Sequence, residues 1–166
     1  MKVTPLRTAI SGIGVSDPLD LISEDRLISH ALHLLGLRMK KGPIFAQPQA
    51  VKDYLVLKIG ALEYEIFGAL FLDAQHQLIE NKEIFRGTLT QTSVYPREVA
   101  KMALQLNAAS LIVYHNHPSG LLEPSRADEL LTQTLKSALQ LVDVRIIDHF
   151  VVGHQGALSF AERGLI

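Results

Sequence analysis

The sequence contains no cysteine and no tryptophan. The first absence excludes a disulfide scaffold, a cysteine nucleophile, an iron–sulfur cluster and a cysteine-ligated zinc finger. Any metal site must therefore be built from histidine, aspartate and glutamate. An excess of charge is missing too: 16 basic residues face 17 acidic ones, a net charge of -1, so no long-range field recruits nucleic acid or an anionic membrane. The basic run at residues 38–41 is short and reads as the solvated end of a helix. The most apolar stretch, residues 55–72, is interrupted by Lys58, Glu63 and Glu65, which excludes a membrane span there. Ser11, Gly12 and Gly14 break up any apolar core of a secretory signal behind Lys2 and Arg7. The chain reads as soluble and cytoplasmic.

What is present suffices for one ordinary domain: 166 residues, 48% of them hydrophobic, can bury a core without covalent staples. Residues 1–19 lack periodicity and read as a loose arm. Across 21–37, Leu21, Ile28, Ala31, Leu32 and Leu35 recur at helical spacing until Gly42-Pro43 stops the pattern. A second helix is expected over 49–59. The chain then turns aromatic and β-prone at 65–73 and partly alternating at 77–85, with Ala74-Gln75-His76 between, which is a hairpin pattern. A helix headed by Pro96 spans 96–106, a buried strand 109–115, a long helix 125–141 and a strand 144–152. A turn at 153–156 leads to a short last strand. Helices alternating with strands give an α/β fold, a mixed sheet flanked by helices. Residues 1–47, arm and amphipathic helix, read as a short N-terminal extension to a main domain of residues 48–166.

The chemistry concentrates between His115-Asn116-His117-Pro118-Ser119-Gly120 and Ser125-Arg126-Ala127-Asp128. Side chains at i and i+2 of an extended strand share a side, so both imidazoles can reach one ion. Asp128 returns a carboxylate from the first turn of the next helix. Two histidines and an aspartate leave a fourth position open, the arrangement of a catalytic rather than a structural zinc site. A competing reading of the same residues is a capping box, Ser125 closing the helix N-terminus and Asp128 reaching back; spacing alone leaves the two balanced.

The string H-x-H, seven residues, S-x-x-D resembles the JAMM/MPN zinc hydrolases, and EIFGALFLD, FRGT, YPREV, HNHPSG, EPSRAD, DVRIIDH and SFAERGLI resemble the RadC branch of that group. The resemblance runs from residue 50 to residue 166. It implies a JAMM/MPN, cytidine-deaminase-like fold with one Zn2+ per chain held by His115, His117 and Asp128. It further implies that Ser125 hydrogen-bonds a developing oxyanion. Glu65, in E-x-x-G-x-L, matches the glutamate that serves as general acid and base, and Glu63 is the weaker match. The implied activity is hydrolysis of an amide or isopeptide bond in a peptide or protein substrate. RadC relatives also carry an N-terminal helix-hairpin-helix-like region, for which the first 50 residues here are too short, so its DNA affinity is not carried over.

Other readings stand beside this one. RadC-like proteins are associated with DNA repair and mobile elements, which would make the chain a DNA-transaction accessory; the balanced charge counts against it. A zinc deaminase of related fold would need H-x-E with P-C-x-x-C, which a chain without cysteine cannot supply. A metal-binding but inactive interaction module is a fourth reading. Asn116 points away from the ligands and reads as structural, and Ser119 as a turn residue or a hydrogen-bonding partner of the site. Asp148 and His149 could hold a ligand imidazole from behind, though placement in the core or at a sheet edge is the preferred expectation. Arg97 and Glu98 read as an exposed ion pair, and His30 and His33 as surface residues.

Overall fold

The computed structural model describes residues 23–44, 48–87 and 94–166; the arm at residues 1–19, and Leu21 with it, lies outside them. Four helices, α1 (Glu24–Met39), α2 (Pro48–Ile59), α3 (Pro96–Gln105) and α4 (Arg126–Gln140), accompany five strands, β1 (Ile66–Leu72), β2 (Leu78–Arg86), β3 (Ser110–Asn116), β4 (Arg145–Gly153) and β5 (Gly156–Ser159). The sheet order is β2-β1-β3-β4-β5. β3 runs antiparallel to β1 and parallel to β4, with α4 as the crossover. The expected mixed sheet flanked by helices is the architecture observed. Among the described residues no helix is long and apolar enough to cross a membrane.

Strand alternation divides the core into two layers. Phe67, Ala69, Phe71, Leu111 and Val113 project toward α3 and α4, where they meet Val99, Ala103, Leu135 and Leu139. Ile66, Leu70, Ile112 and Tyr114 project the other way onto Val51, Leu55 and Ile59 of α2. β1 and β3 are buried along their whole length, which is why both read as apolar runs rather than alternating patterns. Met39 and Ile44 close the α2-side core. The half-buried face of α1 carries Ile28, Ala31, Leu32 and Leu35, and His30 and His33 are exposed, as expected.

The hairpin turn follows from Asp73, whose Oδ1 accepts from the backbone N–H of Gln75 at 2.9 Å and of Gln77 at 2.8 Å, an aspartate locally replacing ladder bonds. α3 begins on Pro96, whose fixed φ suits a first helical turn, and Arg97 and Glu98 form an exposed pair at 3.6 Å.

Gly68 on β1 is required by its neighbour. The ring of Tyr114 lies across it, in the place a Cβ would occupy. The Tyr114 hydroxyl donates to Asn81 Oδ1 at 2.6 Å, and Asn81 Nδ2 donates to the Tyr54 hydroxyl at 3.0 Å, so the ring cannot retreat without breaking a chain that ties β3, β2 and α2 together. Burial pushes the Tyr114 hydroxyl well above its ordinary pKa, the Glu83 charge adding to the effect, and it stays a donor. Gly68→Ala is expected to lower stability by about 2 kcal/mol, read from the midpoint of urea unfolding at unchanged slope; an unaltered midpoint would contradict this packing.

Candidate metal centre

β3 delivers two histidines at its C-terminal end. His115, on the face shared with Leu111 and Val113, is buried; His117 follows one residue beyond the strand, held by its backbone N–H to the Val152 carbonyl at 2.9 Å. The chain then turns: Gly120 N–H donates to the His117 carbonyl at 2.8 Å, with Pro118 at the turn position its ring favours. Gly120 has φ +78, and the His154 ring lies 2.8 Å from where a Cβ would project, so a side chain there would be strained twice over. Ser119 is a turn residue, its Oγ accepting from Leu121 N–H at 3.4 Å.

α4 delivers the carboxylate. Ser125 caps the helix: Asp128 N–H donates to Ser125 Oγ at 3.2 Å, and Asp128 Oδ2 accepts from Ser125 N–H at 2.7 Å and from its hydroxyl at 2.7 Å. Asp128 Oδ1 meanwhile lies 3.3 Å from His115 Nε2, and Oδ2 lies 3.6 Å from His117 Nε2. The capping and ligand readings are therefore not alternatives. The cap orients the carboxylate through Oδ2, which also faces His117, while Oδ1 faces His115. Among the described residues this is the one cluster of three or more such side chains able to hold a metal ion.

Tautomers decide what the cluster offers. His117 Nδ1 lies 2.8 Å from the Leu121 carbonyl, which can only accept; Nδ1 therefore carries the proton, and the neutral ring turns a bare Nε2 inward. The two Nε2 atoms stand 3.0 Å apart. The 3.0 Å between the imidazoles, and the 3.3 and 3.6 Å approaches made by different oxygens of Asp128, lie near the edge of about 3.3 Å that a tetrahedron has when its ligands lie about 2.0–2.1 Å from the ion; with one atom taken from each residue, the three lie within 4.8 Å of one another. Nitrogen and oxygen donors without sulfur suit a divalent transition-metal ion, and one side is open: the His115 side chain is 2% exposed, against 14% for Asp128 and 19% for His117.

Glu65 directly precedes β1. The ladder pairs Phe67 with His115, and continuing that antiparallel register sets Glu65 opposite His117. The two interact, the Glu65 charge raising the His117 pKa. Asn116 fixes this segment from the opposite face, accepting from Ile66 N–H at 2.8 Å and donating to the Tyr64 carbonyl at 3.0 Å, one anchor on each side of Glu65. Glu63 is exposed in the bend upstream.

His149 was expected mainly in core packing; it is buried in the core and also touches the site. Its Nε2 lies 2.8 Å from His115 Nδ1, and its Nδ1 lies 2.6 Å from the Thr132 hydroxyl. Phe160 packs against the ring at 4.6 Å. Burial, reinforced by His115, holds His149 well below its ordinary pKa and keeps it neutral. Asp148 turns away, accepting from the Ser159 hydroxyl at 2.6 Å and Ala161 N–H at 3.0 Å to secure the C-terminal turn. Thr132 was missed in the sequence; its one signal is a hydroxyl residue one turn beyond Asp128 on the buried face of α4.

Protons and metal compete for the cluster. The Asp128 side chain, hydrogen-bonded to His117, raises the His117 pKa above 6.5; burial opposes the shift, and the Leu121 carbonyl and Glu65 support it. Burial works against an ionised Asp128, yet in the protonated, metal-free cluster hydrogen bonds from the His115 and His117 rings outweigh it and hold the carboxyl well below 3.8. Without metal, the His117 contribution is complete below about pH 6.5 and is lost as pH rises through its raised pKa. The Asp128 contribution is present above about pH 4 and lost as pH falls through its depressed one. Metal binding runs the other way, losing up to about tenfold in apparent affinity per pH unit below the His117 pKa. The rise in melting temperature given by added zinc is therefore expected to be larger near pH 8 than near pH 5.5; a rise that is flat or shrinks with pH would contradict this ligand set.

Comparison with known proteins agrees with this geometry. The model of the family described as "RadC-like JAB domain" matches residues 45–165. Similar proteins include a UPF0758 protein of Leptothrix cholodnii, 65% identical over 129 residues, covering 78% of this chain and 58% of the relative. UPF0758 proteins of Methylibium petroleiphilum and of a Polaromonas species are 54% and 56% identical over 158 residues, covering 95% of this chain and 70% and 69% of theirs. The chain thus spans 58–70% of the length of these relatives. With two histidines and an aspartate converging at the end of the central strand, and a family match running through all three, the chain belongs to the RadC-like JAB domain family.

Proposed function

We propose that this chain is a zinc-dependent hydrolase of the metallopeptidase type, with one Zn2+ per chain, that cleaves an amide or isopeptide bond in a peptide or protein substrate. The observation that carries the reading is the convergence of His115 Nε2, His117 Nε2 and the Asp128 carboxylate at 3.0–3.6 Å, open on one side, with Glu65 opposite His117. His115, His117 and Asp128 hold the ion. When bound, zinc supplies Lewis acidity, making water a usable nucleophile and a carbonyl a better electrophile at neutral pH.

The remaining work falls to side chains of this protein. The Glu65 carboxylate accepts the proton of the attacking water and returns it to the departing amine, so one group acts first as base and then as acid. Asn116, bonded on both sides of Glu65, keeps it from swinging out of reach. The Ser125 hydroxyl donates to Asp128 Oδ2 at 2.7 Å; with a substrate bound, the same O–H turns to donate to the oxygen on which negative charge builds. The N-terminus of α4, where Ser125 sits, adds a partial positive charge at that place.

Two substitutions separate binding from chemistry. Glu65→Gln is expected to keep about one zinc per chain while hydrolysis falls about 100- to 10,000-fold, measured by mass spectrometry on peptides released from a cell extract; undiminished hydrolysis would remove Glu65 from the mechanism. His117→Ala is expected to lose the zinc on desalting, and retention of the metal would overturn its assignment as a ligand.

A further inference from the structure

We infer that Thr132 and His149 form a hydrogen-bond relay that fixes the tautomer of His115, so that its Nε2 faces the metal position as a bare donor. The assignment follows from one fixed point. The Thr132 hydroxyl lies 2.7 Å from the Asp128 main-chain carbonyl, an oxygen that can only accept, so the single hydroxyl proton points there. Thr132 Oγ1 must then accept from His149 Nδ1 at 2.6 Å. A neutral imidazole carries one proton, which leaves His149 Nε2 bare. At 2.8 Å from His115 Nδ1, that bare nitrogen accepts, so His115 carries its proton on Nδ1 and presents a lone pair at Nε2. Reversing any link sets two lone pairs or two protons against each other at 2.6–2.8 Å.

The surroundings admit no easy substitute. His149 is fully buried, with Phe160 against its face and Phe67 edge-on at 6.0 Å, and Thr132 is buried as well. No water can replace a lost link without first opening the core. The relay starts on the main chain of Asp128 and ends on His115, so two residues facing the metal position from different elements are held by one chain of hydrogen bonds. His117 obtains the same tautomer separately, from the Leu121 carbonyl. Thr132 and His149 are thus positioning residues, which act on the metal position only through His115.

The consequence for metal affinity rests on the metal reading proposed above, but the tautomers exist without metal and can be tested apart from it. In metal-free protein labelled with 15N-histidine, at about pH 8.5, two units above the ordinary imidazole value, long-range proton–nitrogen NMR is expected to find the His149 proton on Nδ1 and its Nε2 bare. A proton on His149 Nε2 would overturn the relay. Thr132→Val keeps the shape and removes the acceptor. It is expected to reverse the His149 tautomer and weaken zinc binding about 10- to 100-fold in competition with a chromogenic chelator, whereas Thr132→Ser stays within about threefold of the parent. A folded Thr132→Val protein with the parent's tautomers and affinity, or a Thr132→Ser protein as weak as Thr132→Val, would also overturn it. If the parent protein binds no zinc, the metal reading fails, and the NMR measurement on it still decides the relay.

Discussion

The constraint on which the rest depends is the crowding of electron-rich atoms from three side chains. His115 Nε2, His117 Nε2 and the Asp128 carboxylate stand within 3.0–3.6 Å of one another. With both imidazoles neutral, no proton lies between them, because each ring's proton is engaged elsewhere, on His149 and on the Leu121 carbonyl. Such an arrangement is repulsive unless a positive charge occupies its centre. A proton can serve in part, which is the sense of the raised His117 pKa, and a divalent ion serves all three at once. Much of the surrounding fold can be understood as the means of holding these atoms together.

Each contributes through a rigid element. β3 lies at the centre of the sheet, bonded on one side to β1 and on the other to β4, so its C-terminal end is the best-supported place in the molecule for two side chains. The crossover helix must begin where β3 ends, and a capping box at that start fixes the Asp128 carboxylate before any ion is considered. One carboxylate thus satisfies the Ser125 N–H at a helix terminus and completes a donor set. Asn116, facing the opposite layer, secures the segment that bears Glu65. Its amide partners the buried Ile66 N–H and the partly buried Tyr64 carbonyl, and a buried main-chain group left without a partner costs about 1–3 kcal/mol.

Most of this was legible in the sequence because it depends on local periodicity. The H-x-H spacing predicts a shared side on a strand, Pro118 and Gly120 predict the turn, and Ser125-x-x-Asp128 predicts the helix start; each rule reaches over a few residues only. The capping and ligand readings looked like rivals because a sequence shows one aspartate, whereas the folded carboxylate has several lone pairs to use. The role of His149 was harder to see. A polar residue in the apolar run 146–152 signals that a partner is needed. Its identity depends on the parallel register that pairs Val113 with His149 and so brings His149 beside His115, and no local pattern encodes that register. Thr132 was invisible for the same reason: its importance comes from a ring that arrives from another strand.

The central claim is that these three side chains hold one metal ion, and zinc K-edge X-ray absorption on the zinc-loaded protein tests it most directly. The account predicts one zinc per chain, in a four-coordinate shell of nitrogen and oxygen at about 2.0–2.1 Å, with the outer-shell scattering of two imidazoles. Zinc that washes away on desalting, or a bound ion whose spectrum lacks that imidazole scattering, would contradict it.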